Sequence, residues 1–587
     1  MSSTFLRDGM VTVDETITED LSGLLAGWAR ECPDAVAISH LDFRVNPRGA
    51  QAHWTWRELD DRVDAVASWL SGQVAAGEPV AVLIGQTPDY LAAFLGALRA
   101  GAVAVPLFPP GLPGHGQRLA SVLTDCAAST ILTTQDIAPQ VDEFVATHGL
   151  DVDRVVAVDT LPPQRSADAE PIRFAPDTVA YLQYTSGSTG DPRGVIITHG
   201  NVVANARQAC AAYGVVRDSV TVSWLPLFHD MGLVLSIAAP VVTGARTVLM
   251  DPLAFIERPE RWLHALSANP GATTAAPSFA YAYCAARVSE SEKTRMRLDT
   301  VNALIDGSEP VSAGVIERFF AAFADCGLRP EAHSPSYGLA EATVFVSAGA
   351  PDRPVVVRRV DRVELAAGRV VDVPEGHPDA LRLVSCGQSI DQHVLVVDPL
   401  TRTPRPSDEV GEIWVAGPNV GHGYWGRPEE SRRTFGNVVN APDAPAGPWL
   451  ATGDLGVWSD GELYVTGRIK DLIVVDGRNH YPQDVERTAE AAHPAIRPRN
   501  VVAFSVNDAD GERAVVLAER VKTVSADDID HAEFAAAVRA AVSRHHGLAL
   551  REVRLVEPDE LPRTTSGKIS RSECRLRFLA DASIGLA

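Results

Sequence analysis

The sequence predicts an α/β protein: a large N-terminal domain of helix-covered β-sheets plus a small distorted β-barrel, hinged to a small α/β C-terminal domain. Three observations carry this expectation. Residues 19–106 alternate helix-like and strand-like runs, as parallel sheets covered by helices require. Between Val355 and Glu412 the pattern changes to short β-rich runs with turn signals, as in hairpins or a small barrel. After Arg468 a smaller helix–strand alternation begins.

Taken in order, Leu21 to Arg30 and Thr55 to Leu70 read as helices, and Val80 to Ile84 as a strand. The helix around Tyr90 to Arg99 leads into a strand at Val103 to Leu107. This most apolar stretch carries Arg99 and Gly101, so it reads as a helix turning into a buried strand rather than a membrane span. The Pro-rich, polar run Leu161 to Asp177 is expected to be a surface linker. A strand at Val179 to Tyr184 and another at Val195 to Thr198 flank a Gly/Ser/Thr-rich turn, after which Asn201 is placed to cap a helix bearing Val202, Val203 and Cys210. In the C-terminal part, strands are expected at Leu472 to Val475, Val501 to Val506 and Ala514 to Arg520, with helices near Gln483 to Ala491 and Asp530 to His545. The boundary falls at Gly467 to Asp471, giving an N-terminal domain of residues 1–466, a hinge at 467–471 and a C-terminal domain of 472–587.

A 46% hydrophobic content is ample for packed cores across 587 residues, and a net charge of −23 argues against nucleic acid or an anionic membrane as partner. Seven scattered cysteines with no CxxC pair indicate neither a disulfide framework nor a zinc site, which fits a reducing cytoplasm. The N-terminal residues lack a basic segment followed by an apolar core, so no secretory signal and no stable membrane insertion are expected.

The most informative segment is Tyr184 to Gly194, YTSGSTGDPRG. Gly187 and Gly190 allow the backbone to approach an anion and turn its N–H groups inward; Thr185, Ser186, Ser188 and Thr189 add hydroxyl donors, and Arg193 adds fixed charge. The segment lacks the Gly-Lys-Ser/Thr ending and the directly following helix of a Walker loop, so the phosphates would sit in a hairpin turn.

With motifs recurring in order from Trp54 to Arg571, the chain resembles the superfamily of adenylate-forming enzymes, which includes acyl-CoA synthetases, luciferases, peptide-synthetase adenylation domains and fatty acyl-AMP ligases. The resemblance implies ATP and Mg²⁺. Tyr337-Gly338-Leu339-Ala340-Glu341, with Ser336 before it, resembles the segment whose aromatic ring lies near adenine and whose Glu holds the metal. Gly307, Ser308 and Glu309 resemble the loop against the adenine. Asp454 in Thr452-Gly453-Asp454 resembles the ribose acceptor, Arg468 the ribose and phosphate contact, and Lys470 the hinge position. Lys568 in the Pro562 to Ile569 segment resembles the catalytic lysine that bridges carboxylate and α-phosphate, and His229 in LPLFHDMGL the histidine near the carboxylate entrance. Phe279 is assigned to the acyl channel, with a core aromatic as the alternative. Arg193 stands where many relatives carry Lys.

The stretch between Tyr337 and Gly387 exceeds the span usual in acyl-CoA synthetases, and Val355 to Val373 reads as an inserted hairpin turning at Ala366-Ala367-Gly368. This insertion, LPLFHDMGL and the Gly-Ser-Glu-Pro loop resemble fatty acyl-AMP ligases. That branch implies a fatty acid substrate and acyl transfer to a separate holo acyl carrier protein, with the insertion restraining the C-terminal domain. An acyl-CoA synthetase with a long loop is the alternative, and a degenerate nucleotide-binding scaffold is disfavoured by Glu341, Asp454, Arg468 and Lys568. The basic segment Arg563 to Arg577 is expected either to steer an acidic carrier or to be a solvated tail.

Overall fold

The computed structural model describes residues 20–112, 114–163, 173–186, 192–445, 447–475, 478–508, 511–564 and 567–580. Two large sheets form the body of the N-terminal part. In one, Pro79–Leu83 lies between the parallel strands Val103–Leu107 and Thr130–Thr133, and the sheet ends in the antiparallel pair Val179–Ser186 and Pro192–Thr198. Its inner strands Pro79–Leu83 and Val103–Leu107 are continuous apolar runs, as strands covered by helices on both faces require. Pro88–Arg99 is one of the covering helices, buried even at Arg99, whose guanidinium is paired with Asp60 at 2.6 Å and Asp64 at 2.5 Å.

In the other sheet, Arg246–Met250, Val220–Ser223, Ala272–Ala276, Ala303–Asp306 and His333–Gly338 run parallel side by side. The carboxyl ends of four of these strands lead into or carry Trp224 to His229, Pro277 to Phe279, Gly307 to Glu309 and Tyr337-Gly338. Ligands of open α/β sheets bind at such ends.

The helix expected after the loop is His199–Tyr213, capped by Thr198 rather than Asn201. Asn201 closes a capping box: Thr198 Oγ1 accepts the Asn201 N–H at 3.1 Å, and Asn201 Oδ1 accepts the Thr198 N–H at 3.0 Å.

The β-rich segment forms a four-stranded antiparallel sheet, His393–Val397, Gly411–Ala416, Leu450–Ser459 and Glu462–Arg468, beside the pair Val357–Asp361 and Ala380–Val384. The segment Val355 to Val373 folds back on itself, the Asp361 N–H donating to Val371 O at 2.8 Å and the Val373 N–H to Arg359 O at 3.0 Å, with a short helix in place of a tight turn. Val357–Asp361 takes Ala380–Val384 as its partner, and Asp361 caps a short helix, Arg362–Ala366, by accepting the N–H groups of Val363 and Glu364. An Asp before a helix-compatible run favours this turn over an extended strand. The second run returns along the other edge of Val357–Asp361, with Val360 bridged to Asp372.

After the turn Ile469–Asp471 a separate core begins, with Ile473, Val485, Val516, Phe534 and Val538 buried between Pro482–Ala492, His531–His546 and the strands Ile496–Asp508, Gly511–Arg520 and Leu550–Val556. Leu550–Val556 and the helix Arg571–Leu579 are additions to the sequence reading. Charges at Arg551, Glu552 and Arg554 break up the apolar run of the strand.

Candidate active site

Asp454 and Arg468 face each other across the antiparallel strands Leu450–Ser459 and Glu462–Arg468, so register alone brings their side chains together. Arg468 Nε lies 2.7 Å from Asp454 Oδ1, and the Tyr337 hydroxyl donates to Asp454 Oδ2 at 2.8 Å. The carboxylate is 3% exposed, and its charge raises the guanidinium pKa of Arg468. Tyr337 arrives on His333–Gly338. Gly338 follows because a Cβ there would lie 1.7 Å from the Val344 carbonyl oxygen. Ser336 accepts the Tyr213 hydroxyl at 3.1 Å and lies beneath Gly307, whose Cβ position is 3.0 Å from the Ser336 carbonyl oxygen.

Glu341 lies on a 3-10 turn, Ala340–Ala342, and its Oε1 accepts the Tyr424 hydroxyl at 2.9 Å. Among the described residues no group of three or more His, Cys, Asp or Glu is placed to hold a metal. One carboxylate suits Mg²⁺ when nucleotide phosphates supply further ligands, so Glu341 fits that role.

Lys568 crosses from the C-terminal part to the Gly307 to Glu309 loop. Its Nζ donates to the carbonyl oxygen of Ser308 and, at 2.7 Å, to Ser308 Oγ. Ser308 holds φ +70°, a left-handed conformation costly for a residue with a Cβ, and it turns both acceptors toward the lysine. Burial lowers the Lys568 pKa, opposed by the negative charges of Glu309 and Asp230, with Arg468 adding to the fall. Burial in turn raises both carboxyls, Asp230 and Glu309. Lysine and carboxylates thus form a partly desolvated charge cluster.

His229 stands immediately before the short helix Asp230–Leu233, its ring 4.6 Å from that of Phe228. Phe279 is the second residue of the helix Ser278–Arg287; its N–H donates to Glu309 Oε1 at 2.6 Å and its ring meets Trp224 edge-on at 6.2 Å. The structure thus ties the residue assigned to the acyl channel to the lysine-facing loop. Lys470 stands exposed on the turn Ile469–Asp471.

The two strands around the nucleotide loop pair antiparallel, with Thr185 opposite Arg193. Gly187, Ser188, Thr189 and Gly190 lie outside the described residues, as does the Ser186 side chain. Arg193 is paired with Glu430 at 2.6 Å and lies 5.6 Å over the Tyr424 ring, on the Glu341 side of the cluster. Asp230, Tyr424 and Arg499 also converge here, and only Asp230, beside His229, carried a sequence signal. In the basic C-terminal segment, Arg563 and Arg571 are engaged by neighbouring groups. Arg571, which opens the helix Arg571–Leu579, bonds Ala503 O, Asp471 and Glu486, and Arg563 bonds Gly567 O and Asn500.

Residues 25–425 match the family model described as AMP-binding enzyme, and residues 470–583 match the AMP domain of Disco-interacting protein 2-like proteins. The chain is an AMP-binding enzyme. This AMP-binding enzyme is 40% identical to a long-chain-fatty-acid–AMP ligase of Mycolicibacterium smegmatis, over 98% of its own length and 96% of the relative's. It is also 40% identical to a 4-hydroxyphenylalkanoate adenylyltransferase of Mycobacterium marinum, over 98% and 93%. Among solved structures, one from work on the fatty acyl-adenylate ligases of E. coli and L. pneumophila superposes with a TM-score of 0.84 at 31% identity, covering 96% of this chain and 98% of that one. The fatty acyl-adenylate ligase of L. pneumophila in complex with acyl adenylate and pyrophosphate superposes at 0.73 with 31% identity, covering 95% and 96%.

Proposed function

We propose that this AMP-binding enzyme activates a fatty acid with ATP to an acyl-adenylate, releasing pyrophosphate, and then passes the acyl group to the phosphopantetheine thiol of a separate holo acyl carrier protein. The observation that carries the reading is the placement of Lys568 on the Ser308 loop, in one cluster with Asp454, Arg468, Tyr337 and Glu341. A carboxylate attacking the α-phosphate brings two anions together, and a lysine already seated at the meeting point offsets the charge that develops between them. In this account Asp454 holds the ribose hydroxyls, Tyr337 and the Gly307 to Glu309 loop flank the adenine, and residues 184–194 with Arg193 hold the phosphates. Bound at Glu341, Mg²⁺ would neutralise phosphate charge. His229 and Phe279 line the entry and channel for the acid.

Residues 467–471 act as the hinge, with Lys470 upon it, between the domains 1–466 and 472–587. Buried Val360, Leu365 and Val370 of the inserted segment share a core with Tyr464 and with Tyr481 beyond the turn, which supports its role as a brake on that hinge. Free cysteines, and the lack among the described residues of a helix long and apolar enough to cross a membrane, are compatible with a cytoplasmic enzyme. The two relatives of equal identity are named for different acids, so an aryl-alkanoic substrate is a second reading. Pyrophosphate release measured over a panel of fatty and 4-hydroxyphenylalkanoic acids decides between them. A scaffold protein would release none with any acid.

A further inference from the structure

The strand Ile496–Asp508 breaks register with its neighbour between Ile496 and Val501, and the extruded residues include Arg499 at φ +65°. Bulges beside active sites re-aim side chains, and a left-handed residue with a long side chain persists only where its surroundings hold it. Here the Arg499 N–H is held by Glu490 Oε2 at 2.6 Å. The guanidinium crosses to the other domain and pairs with Glu309 Oε1 at 3.4 Å. The next residue binds the lysine loop: Asn500 Oδ1 accepts from Arg563, which also donates to Gly567 O at 3.0 Å, directly before Lys568. Asn500 Nδ2 closes the bulge on Pro498 O at 2.7 Å. One bulge thus grips the carboxylate opposite Lys568 and the loop that carries it.

We infer that Arg499 is a positioning residue for adenylate formation: by clamping Glu309 it docks the C-terminal domain so that Lys568 arrives at the Ser308 loop. The inference rests on the adenylation reading above. Arg499 touches neither reacting group, and its pair with Glu309 exists only while the domains are closed in this arrangement. If residues 467–471 act as the hinge proposed above, acyl transfer from a preformed adenylate leaves this closed arrangement and is independent of the pair.

Arg499→Gly separates the side chain from the backbone, since glycine accepts φ +65° without strain and the bulge should survive with an undiminished thermal midpoint. The expected result is a fall of about tenfold in kcat for pyrophosphate release, KM for ATP and acid within about twofold, unchanged transfer from supplied acyl-AMP, and substantial recovery in Arg499→Lys. Hydrogen exchange supplies an arm independent of activity: residues 306–309 should lose protection in the glycine variant. Wild-type kcat in Arg499→Gly, an equal loss in transfer from acyl-AMP, or unchanged protection at 306–309 would each overturn the proposal. A wild-type protein that makes no acyl-AMP while the variant still loses protection would strike the adenylation reading and leave the clamp standing.

Discussion

In the proposed mechanism the chemistry turns on Lys568, and its surroundings make two predictions. Lys568→Ala should cut acyl-AMP formation by about 10²–10³ with an unchanged fold, because it removes one preorganised donor from a half-buried position. Near-normal product would exclude it from the mechanism. Burial also lowers its pKa below the ordinary 10.5, so the protonated form, and adenylation with it, should be lost at a pH below that value. The sign of linkage separates this from unfolding: a folded-state pKa below the unfolded one means the unfolded chain binds more protons in that window, so this group adds stability as pH rises there. A pH–rate profile in Lys568→Arg should lack this alkaline limb. Lys568, Asp454, Arg468 and Tyr337 were legible in the sequence because each lies in a short contiguous motif. Tyr424 and Arg499 were not, since their partners Glu341 and Glu309 are 83 and 190 positions away and folding alone pairs them. Tyr424→Phe should raise the Mg²⁺ concentration needed for half-maximal turnover by leaving Glu341 without its anchoring hydroxyl; an unchanged Mg²⁺ dependence would separate the two.

Among the elements, the inserted segment shows both the reach and the limit of periodicity. Its β-rich character was readable, but Val355 to Leu365 looks uniformly strand-like, and only the Asp361 cap converts its second half to helix. Pairing with Ala380–Val384 was likewise hidden, because that partner lies beyond the proposed turn. Arg362 on the short helix donates to His546 Nε2 at 3.1 Å, which also contacts Thr488 Oγ1 at 2.7 Å, so the insertion touches the C-terminal domain directly. Deleting the segment would empty buried positions at Val360 and Leu365, whereas Arg362→Ala cuts a polar contact and leaves that core filled. The variant should form more acyl-CoA than wild type at equal acyl-AMP yield, each ~1.4 kcal/mol of released bias giving up to tenfold. No gain in acyl-CoA would strip this contact of a braking role. Burial, followed by Arg362, His480, His545 and Arg487, pushes the His546 pKa down to about 3 from 6.5. Folded His546 therefore stays neutral where the unfolded chain binds a proton, and its contribution to stability is lost as pH falls from 6.5 toward 3. Replacing His546 with Gln should flatten the acid limb of thermal stability across this interval.

Over the whole molecule, the α/β class and the change of core near residue 470 followed from alternation, and the order of the motifs from the family resemblance. The convergence of four parallel strand ends and a C-terminal lysine on one site did not, since strand order in a parallel sheet is set by crossovers that no local pattern records. The central claim is that this closed arrangement makes acyl-AMP and hands it to a carrier thiol in preference to coenzyme A. The most direct measurement incubates the enzyme with ATP, Mg²⁺ and a fatty-acid panel, then quantifies acyl-AMP, acyl-CoA and acyl-carrier protein side by side, with coenzyme A and holo carrier protein at equal concentration. The predicted result is acyl-AMP formed with at least one acid and acyl-carrier protein well in excess of acyl-CoA; acyl-CoA made as readily as acyl-carrier protein, or no adenylate with any acid, would contradict it.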